Sequence, residues 1–272
     1  MNFLIFTALK AEARPFIEVF ELVKNQGNHL YLKDNISLFI TGVGKVKTAK
    51  RIQTLLNHYT DFTNTVVFNI GIAGGNPKNT FIGELYRVNA IHDEESKLTY
   101  YPDILIRHPL KELYLTTVSI GIFENGDHYQ GLVDMEGSII FKIMSKVVPP
   151  HRLVFLKVVS DHMVITDWKS LDISGLINNQ IEQIQNIVSD FNNEEFSDRI
   201  ILTNEEIVEL IHGVNKLRLT ATQYVQLVNF SEKFKKRTGY DLAKLKLFFD
   251  KDSNSKLERN KIFEQIKQFL ST

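Results

Sequence analysis

The chain has 272 residues, 43% hydrophobic and 24% charged, the composition of a globular protein with a sizeable core and not of a disordered one. Lys+Arg and Asp+Glu number 32 each, so no overall field draws it to nucleic acid or a membrane surface. The absence of cysteine excludes disulfides, thiol catalysis and thiolate metal sites.

Strand-like runs rich in β-branched and aromatic residues occur at Phe3–Thr7, Leu30–Leu32, Ser37–Thr41 and Thr65–Asn69, then at Gly83–Ile91, Tyr114–Ile120 and Leu153–Val159. Helical patterns alternate with them. Ala11–Val23 places Ala13, Phe16, Ile17, Phe20 and Val23 on one face, and Val46–His58 does so with Ala49, Ile52, Leu55 and Leu56. Met135–Lys146 is a third, stopped by Pro149-Pro150, and Leu176–Phe191 a fourth. Strands alternating with helices imply a mixed or parallel sheet covered on both faces.

The polar run Asn192-Asn193-Glu194-Glu195 reads as a linker, and the remainder of the chain reads as all-helical. Thr203 and Glu206 form a capping box before Ile207–His212, closed by Gly213. Ala221–Thr238, closed by Gly239, then Asp241–Phe249 and Lys256–Leu270 complete the tail. Charge changes at the same place: residues 1–200 carry 19 basic and 23 acidic side chains, a net of −4, and residues 201–272 a net of +4. The expected domains are 1–191 and 192–272.

Met1 to Leu9 lacks a basic leader, and Lys10, Glu12 and Arg14 interrupt it too soon for a signal peptide. No run approaches the roughly 18 apolar residues of a membrane helix. A cytoplasmic protein is expected, with Asn35-Ile36-Ser37 and Asn229-Phe230-Ser231 as chance sequons.

Several local signals point to ordinary structure. Gly42-Val43-Gly44-Lys45 lacks the third glycine of a dinucleotide loop and reads as a tight strand-to-helix turn, although the helix N-terminus there could face a small ligand. Asp250-Lys251-Asp252-Ser253-Asn254 begins like a calcium loop, but Ser255 and Lys261 stand where glycine and glutamate are needed. The eight histidines show no pair at metal-ligand spacing; His162, beside Asp161, reads as a loop histidine. Lys233, Lys235, Lys236 and Arg237 read as a solvated helix face, so nucleic acid is not an expected partner. Neither a metal nor a cofactor is expected.

Five motifs, in order, carry a more specific message: Ala8-Leu9-Lys10-Ala11-Glu12, Gly42-Val43-Gly44-Lys45-Val46, Asn69-Ile70-Gly71-Ile72-Ala73-Gly74-Gly75 with Ile82-Gly83-Glu84, Val133-Asp134-Met135-Glu136-Gly137, and Ser160-Asp161. Taken singly, each carboxylate reads as exposed or helix-capping. Together, over residues 1 to about 190, they resemble the nucleoside phosphorylase/hydrolase superfamily, most closely the methylthioadenosine/S-adenosylhomocysteine nucleosidases.

The resemblance implies a three-layer α/β/α fold with a mixed central sheet, here with a small all-helical C-terminal extension that compact nucleosidases lack. It also implies a homodimer acting on a small-molecule nucleoside, as in methionine salvage. Cleavage of a purine N-glycosidic bond passes through an oxocarbenium-like sugar. The resemblance makes Asp161 the general acid to the base, Glu12 the general base to water, and Glu136 the ligand of the ribose hydroxyls. It sets Met135 against the sugar and Phe123 against the base, with Ser160, Ala73 and Gly74 beside them. Leu9 and Val43 would suit an apolar 5′ substituent. Lys157, where the family often carries arginine, would orient water and Glu12. The base-binding segment is shortened to Ser119-Ile120-Gly121-Ile122-Phe123-Glu124.

Phosphorylases of the superfamily hold phosphate with an arginine before the glycine loop. Here Phe68-Asn69 stands in that stretch, and no arginine lies between Arg51 and Arg87. Phosphate-independent hydrolysis is therefore expected. A futalosine-hydrolase-like or other specialised nucleosidase, a phosphorylase, and a non-catalytic nucleoside-binding module remain open alternatives.

Overall fold

Valine, isoleucine, leucine and phenylalanine dominate the strands, which bury them on both sides. In chain order they are β1 (Asn2–Thr7), β2 (Val23–Lys24), β3 (Leu30–Lys33), β4 (Ile36–Ile40), β5 (Thr65–Gly75), β6 (Leu85–Asp93), β7 (Thr99–Tyr100), β8 (Glu112–Thr117), β9 (Leu132–Asp134) and β10 (Leu153–Asp161). The computed structural model describes all residues except 26–28, 60, 105–107, 125, 165–169, 194–201, 239, 240, 252, 254 and 272.

The sheet order is β10-β6-β8-β9-β5-β1-β4-β3-β2, with β7 on β6 and β10 also joined to β5. Five strands, β5, β10, β6, β8 and β9, thus close into a ring. β1 runs parallel to β4 and β5, and β10 parallel to β5. The pairings β10–β6 and β5–β9 are antiparallel, so the sheet is mixed.

Successive residues of a strand face opposite sides, and the two faces of β1 feed different cores. Phe3 and Ile5 pack with Phe16 of α1 (Lys10–Val19), Ile177 of α4 (Ile173–Asn178) and Ile184 of α5 (Ile181–Asn193). Leu4 and Phe6 pack with Ile52 of α2 (Lys45–His58) and Ile140 of α3 (Gly137–Met144).

Residues 1–197 and 198–272 form two separate units. The second contains α6 (Asn204–Lys216), α7 (Ala221–Thr238), α8 (Lys246–Phe249) and α9 (Lys256–Ser271). Its own core includes Leu210, Leu227, Phe249, Phe263 and Ile266. Among the described residues no helix is long and apolar enough to cross a membrane.

The structure corrects several expected boundaries. The first helix ends at Val19, not Val23; Glu21 turns the chain at φ 51° and Val23 enters β2. The expected helix Leu176–Phe191 is two, α4 and α5, because the turn around Asn179 breaks it and Gln180 donates its side-chain amide to Gly83 O at 2.7 Å. Met135–Lys146 shrinks to Gly137–Met144. β5 does not stop at Asn69 but carries the glycine run to Gly75, held by β10 and then β9.

The strand expected through Ile120 ends at Thr117. Thr203 and Glu206 form the expected capping box, yet Gly213 does not close α6. A side chain there would meet the Phe249 ring at 2.5 Å, so this glycine serves helix packing. Asp241–Phe249 contains a 3-10 turn at Ala243–Leu245 and one short helix, α8. In the stretch read as not binding calcium, Asp250 pairs with Lys216 at 2.8 Å; Asp252, Asn254, the linker residues Glu194 and Glu195, and Gly239 lie outside the described residues.

Candidate active site

The chain leaves β1 at Ala8-Leu9 and turns directly into α1, so the third helical residue, Glu12, can reach back over the helix start. Glu12 Oε2 accepts from Ala8 N at 2.7 Å and Leu9 N at 2.9 Å. Glu12 Oε1 accepts from Ile72 N of β5 at 2.9 Å. Capping and placement are one act: the bonds that satisfy the helix start also fix the carboxylate against β5. Gly71 makes room, because a Cβ there would lie 2.7 Å from Glu12 Oε1. Glu12 is 2% exposed, and burial raises its pKa against the lowering by Ile72, Leu9, Lys157 and Ala8.

Glu136 is the residue before α3, yet its carboxylate does not cap that helix. Oε1 instead accepts from Gly44 N at 2.6 Å, at the start of α2. Gly44 adopts φ 87°, the left-handed region that glycine tolerates, which aims its amide at Glu136. The helix start that could have faced a ligand is thus occupied by a carboxylate of the chain itself. Burial and the neighbouring Asp134 push Glu136 upward, only partly offset by Lys157 and the Gly44 amide.

Asp161 ends β10, opposite Gly74 and next to an irregularity that shifts the register after Val159. Met163 N donates to its Oδ1 at 2.6 Å and Ser160 Oγ to its Oδ2 at 2.6 Å. The same hydroxyl lies 3.3 Å from Ala73 O, so Ser160 has two acceptors to choose between. Met163 is held at φ 60° and is buried.

Beside these three lies an ion pair. Lys157 Nζ sits 2.9 Å from Asp134 Oδ2, both side chains almost wholly buried. Asp134 also accepts from Gly137 N at 2.9 Å and Thr117 Oγ1 at 2.7 Å. Burial pulls the Lys157 pKa down, but Asp134, Glu136 and Glu12 more than reverse it, so the ammonium stays charged.

All three carboxylates line one cavity of about 540 Å³. Leu9, Val43, Ala73, Gly74, Phe123, Met135 and Ser160, each expected at the site, line it as well. Lys157 does not line it; its ammonium is engaged by Asp134. The shortened segment is present as a wall, with Ser119, Ile120, Gly121 and Ile122 beside Phe123. Asp134, Ile72 and Met163 also line the cavity, and sequence reasoning assigned them no role. Asp134 lies in plain view in the Val133–Gly137 motif, whereas nothing in sequence marks Met163. Among the described residues the ionisable lining groups are all carboxylates, and no cluster could hold a metal ion.

No protein-family model and no curated protein sequence matches the chain. Solved structures do match its fold. A Chlamydia trachomatis 5′-methylthioadenosine/S-adenosylhomocysteine nucleosidase bound to MTA superposes with TM-score 0.59 at 22% identity, covering 70% of this chain and 99% of that one. A Helicobacter pylori nucleosidase of the same kind, with 5′-methylthioadenosine in its active site, gives 0.58 at 16% identity over 70% and 98%. A Helicobacter pylori futalosine hydrolase gives 0.56 at 17% identity over 70% and 98%. The fold is therefore the one these nucleosidases share.

Proposed function

We propose that the chain hydrolyses the N-glycosidic bond of a purine nucleoside bearing an uncharged, apolar 5′ substituent, without phosphate. The observation that carries this reading is the meeting of Glu12, Glu136 and Asp161, the last two 124 and 149 residues downstream of the first, around one largely apolar cavity. The shared fold of the nucleosidases supports it.

In the proposed reaction the bond between the sugar C1′ and the purine nitrogen breaks, and its electron pair leaves with the base. Asp161 gives a proton to the base, so that a neutral purine departs. Water forms the new bond to C1′ and passes a proton to Glu12, which its raised pKa makes a stronger base. Glu136 holds the ribose hydroxyls by hydrogen bonds and so positions the sugar, whose oxocarbenium-like character develops as the bond breaks. Ser160 can donate to Ala73 O or to Asp161, and it donates to Asp161 once the proton has left and the carboxylate is the stronger acceptor.

Water is favoured over phosphate by the lining. Among the described residues no lysine, arginine or histidine lines the cavity, while four carboxylates do, and these would repel a second anion. The same balance disfavours a 5′-phosphate, and Leu9 and Val43 supply the apolar contact a thioether would need. The test is to incubate the chain with 5′-methylthioadenosine, S-adenosylhomocysteine and futalosine, with and without phosphate. Free base from 5′-methylthioadenosine at equal rates in both conditions is the expected result, with S-adenosylhomocysteine and futalosine, whose 5′ groups are charged, cleaved more slowly. A ribose 1-phosphate product, or no cleavage of 5′-methylthioadenosine, would overturn the reading.

A further inference from the structure

Asp93, at the end of β6, gathers the starts of two helices that are each preceded by cavity-lining residues, Val43 before α2 and Met135-Glu136 before α3. Lys45, the first residue of α2, brings its ammonium within 3.3 and 3.1 Å of the two Asp93 carboxylate oxygens. From α3, Ser138 Oγ donates to Asp93 Oδ2 at 2.5 Å. Ser96 N donates to Oδ1 at 2.8 Å. The Lys45 and Asp93 side chains are only 16% and 9% exposed. Burial alone would raise Asp93, but Ser138, Ser96 and Lys45 hold it well below the usual carboxylate range.

Lys45 has a second arm. Its Nζ lies 2.8 Å from Glu95 Oε2, and that same oxygen accepts from Ser119 Oγ at 3.1 Å. Three pieces of the wall therefore meet on one ammonium. Gly44, next to it in the chain, donates to Glu136; Asp93 holds Ser138, two residues beyond Glu136; and Glu95 holds Ser119 on the cavity rim. Neither Lys45, Asp93 nor Glu95 lines the cavity.

Helix stability does not account for a lysine here. A cation at the first position of a helix opposes the macrodipole, and the first turn of α2 holds no acid to offset it. The cationic position is explained instead by what the ammonium joins.

We infer that Lys45 is a positioning residue, fixing the spacing between Glu136 and the Ser119–Phe123 rim and so setting how tightly a nucleoside is gripped without touching it. The inference rests on the nucleosidase reading above. It predicts a binding defect more than a chemical one, because Lys45 orders the sugar and rim contacts while Asp161 and Glu12 are held by separate bonds.

The test uses the full chain, steady-state kinetics with 5′-methylthioadenosine, and thermal melting of Lys45→Met, Lys45→Arg and Glu95→Gln. Lys45→Met should raise KM about tenfold and change kcat by no more than about threefold, the signature of lost uniform binding. Lys45→Arg, which can still span two carboxylates, should restore most of the loss. Glu95→Gln cuts only the exposed arm and should raise KM about threefold. A folded Lys45→Met with wild-type KM, a loss confined to kcat, or an arginine that restores nothing overturns the assignment. If Lys45→Met does not fold, Glu95→Gln decides, and an unchanged KM there overturns it. A wild-type chain that neither binds nor cleaves 5′-methylthioadenosine removes the nucleosidase reading and this inference together; an active wild type with unaltered variants removes only the role of Lys45.

Discussion

Lys157 pairs with Asp134 at 2.9 Å where neither side chain reaches solvent, and it is the cation that offsets burial for the carboxylates around it. Removing one partner of a buried pair leaves an uncompensated charge, which costs about 3–5 kcal/mol. Lys157→Met should therefore lower stability by that order in chemical denaturation. Lys157→Met with Asp134→Asn should recover part of the loss, because the orphaned charge is gone. Equal stability of the wild type and the Lys157→Met chain would mean that the pair contributes nothing.

Gly71 makes a second, narrower prediction. A methyl group there would stand 2.7 Å from Glu12 Oε1 and 3.1 Å from its Cδ, so Gly71→Ala must displace the carboxylate and its bond from Ile72 N. Misplacing a catalytic group by about an ångström can cost about 10²-fold in rate. Turnover of Gly71→Ala should fall by that order with the fold retained, as read by kinetics beside a melting curve. Wild-type turnover would separate Glu12 from the chemistry.

How much of this is legible in sequence differs from element to element. The apolar runs of β1, β5 and β10 are long and unambiguous, and the motifs at strand ends and helix starts point to Glu12, Glu136 and Asp161. β2, β7 and β9 are two or three residues long and carry no period of their own, so sequence does not reveal them. The glycine run after Asn69 reads as a loop because glycine disfavours strands locally, yet pairing on both edges overrides that preference. Lys157 lies in the expected strand, but which group its ammonium meets depends on β9 being brought alongside β8 and β5. The link from Lys45 to Ser119 spans 74 residues through Glu95, and no spacing rule announces it.

The raised Glu12 and Glu136 give the pH dependence a definite sign. A carboxyl whose folded pKa lies above the unfolded value of 4.5 binds more protons folded than unfolded between the two. Its contribution to stability is fully present below 4.5 and is lost as pH rises through the folded value. Melting temperature should therefore fall on going from about pH 5 toward neutrality and above, and Glu136→Gln should flatten the slope. If Glu12 is the base, the acid limb of kcat/KM should also sit above the ordinary carboxylate range, because Glu12 must be ionised to take a proton. A Glu136→Gln chain whose melting temperature follows pH as the wild type does would contradict the first of these.

Asp161→Asn keeps the shape of the side chain and removes its acid. With its oxygen toward Met163 N, the amide can donate from its nitrogen to Ser160 Oγ, whose hydroxyl has Ala73 O as its other acceptor, so the cavity should persist and ligand should still bind. General acid catalysis is typically worth ~10²–10⁴ in rate, and turnover should fall by at least that order. Calorimetric titration with 5′-methylthioadenosine, set beside a product assay, reads both halves. Near wild-type turnover would take Asp161 out of the mechanism, and a complete loss of binding would make it a structural residue.

The last prediction concerns the helical tail. Among the described residues, the buried apolar clusters of the sheet unit draw on residues up to Phe191, and that of the helical unit on Leu202 to Leu270. Two units with separate cores can fold separately. Phe191, which packs edge-on against Phe68, is the final sheet-unit anchor, so a chain ending at Asn193 keeps it. Such a chain should fold with a single melting transition and cleave nucleoside with unchanged kcat and KM. The cavity lining supports this expectation, since every described residue in it falls between Ala8 and Met163. A truncated chain that folds but shows a sharply raised KM would instead make the tail a cover for the base end of the site, standing in for the shortened Ser119–Glu124 segment. Failure to fold would mean that the sheet unit depends on the helices for stability, and the division into independent units would be wrong.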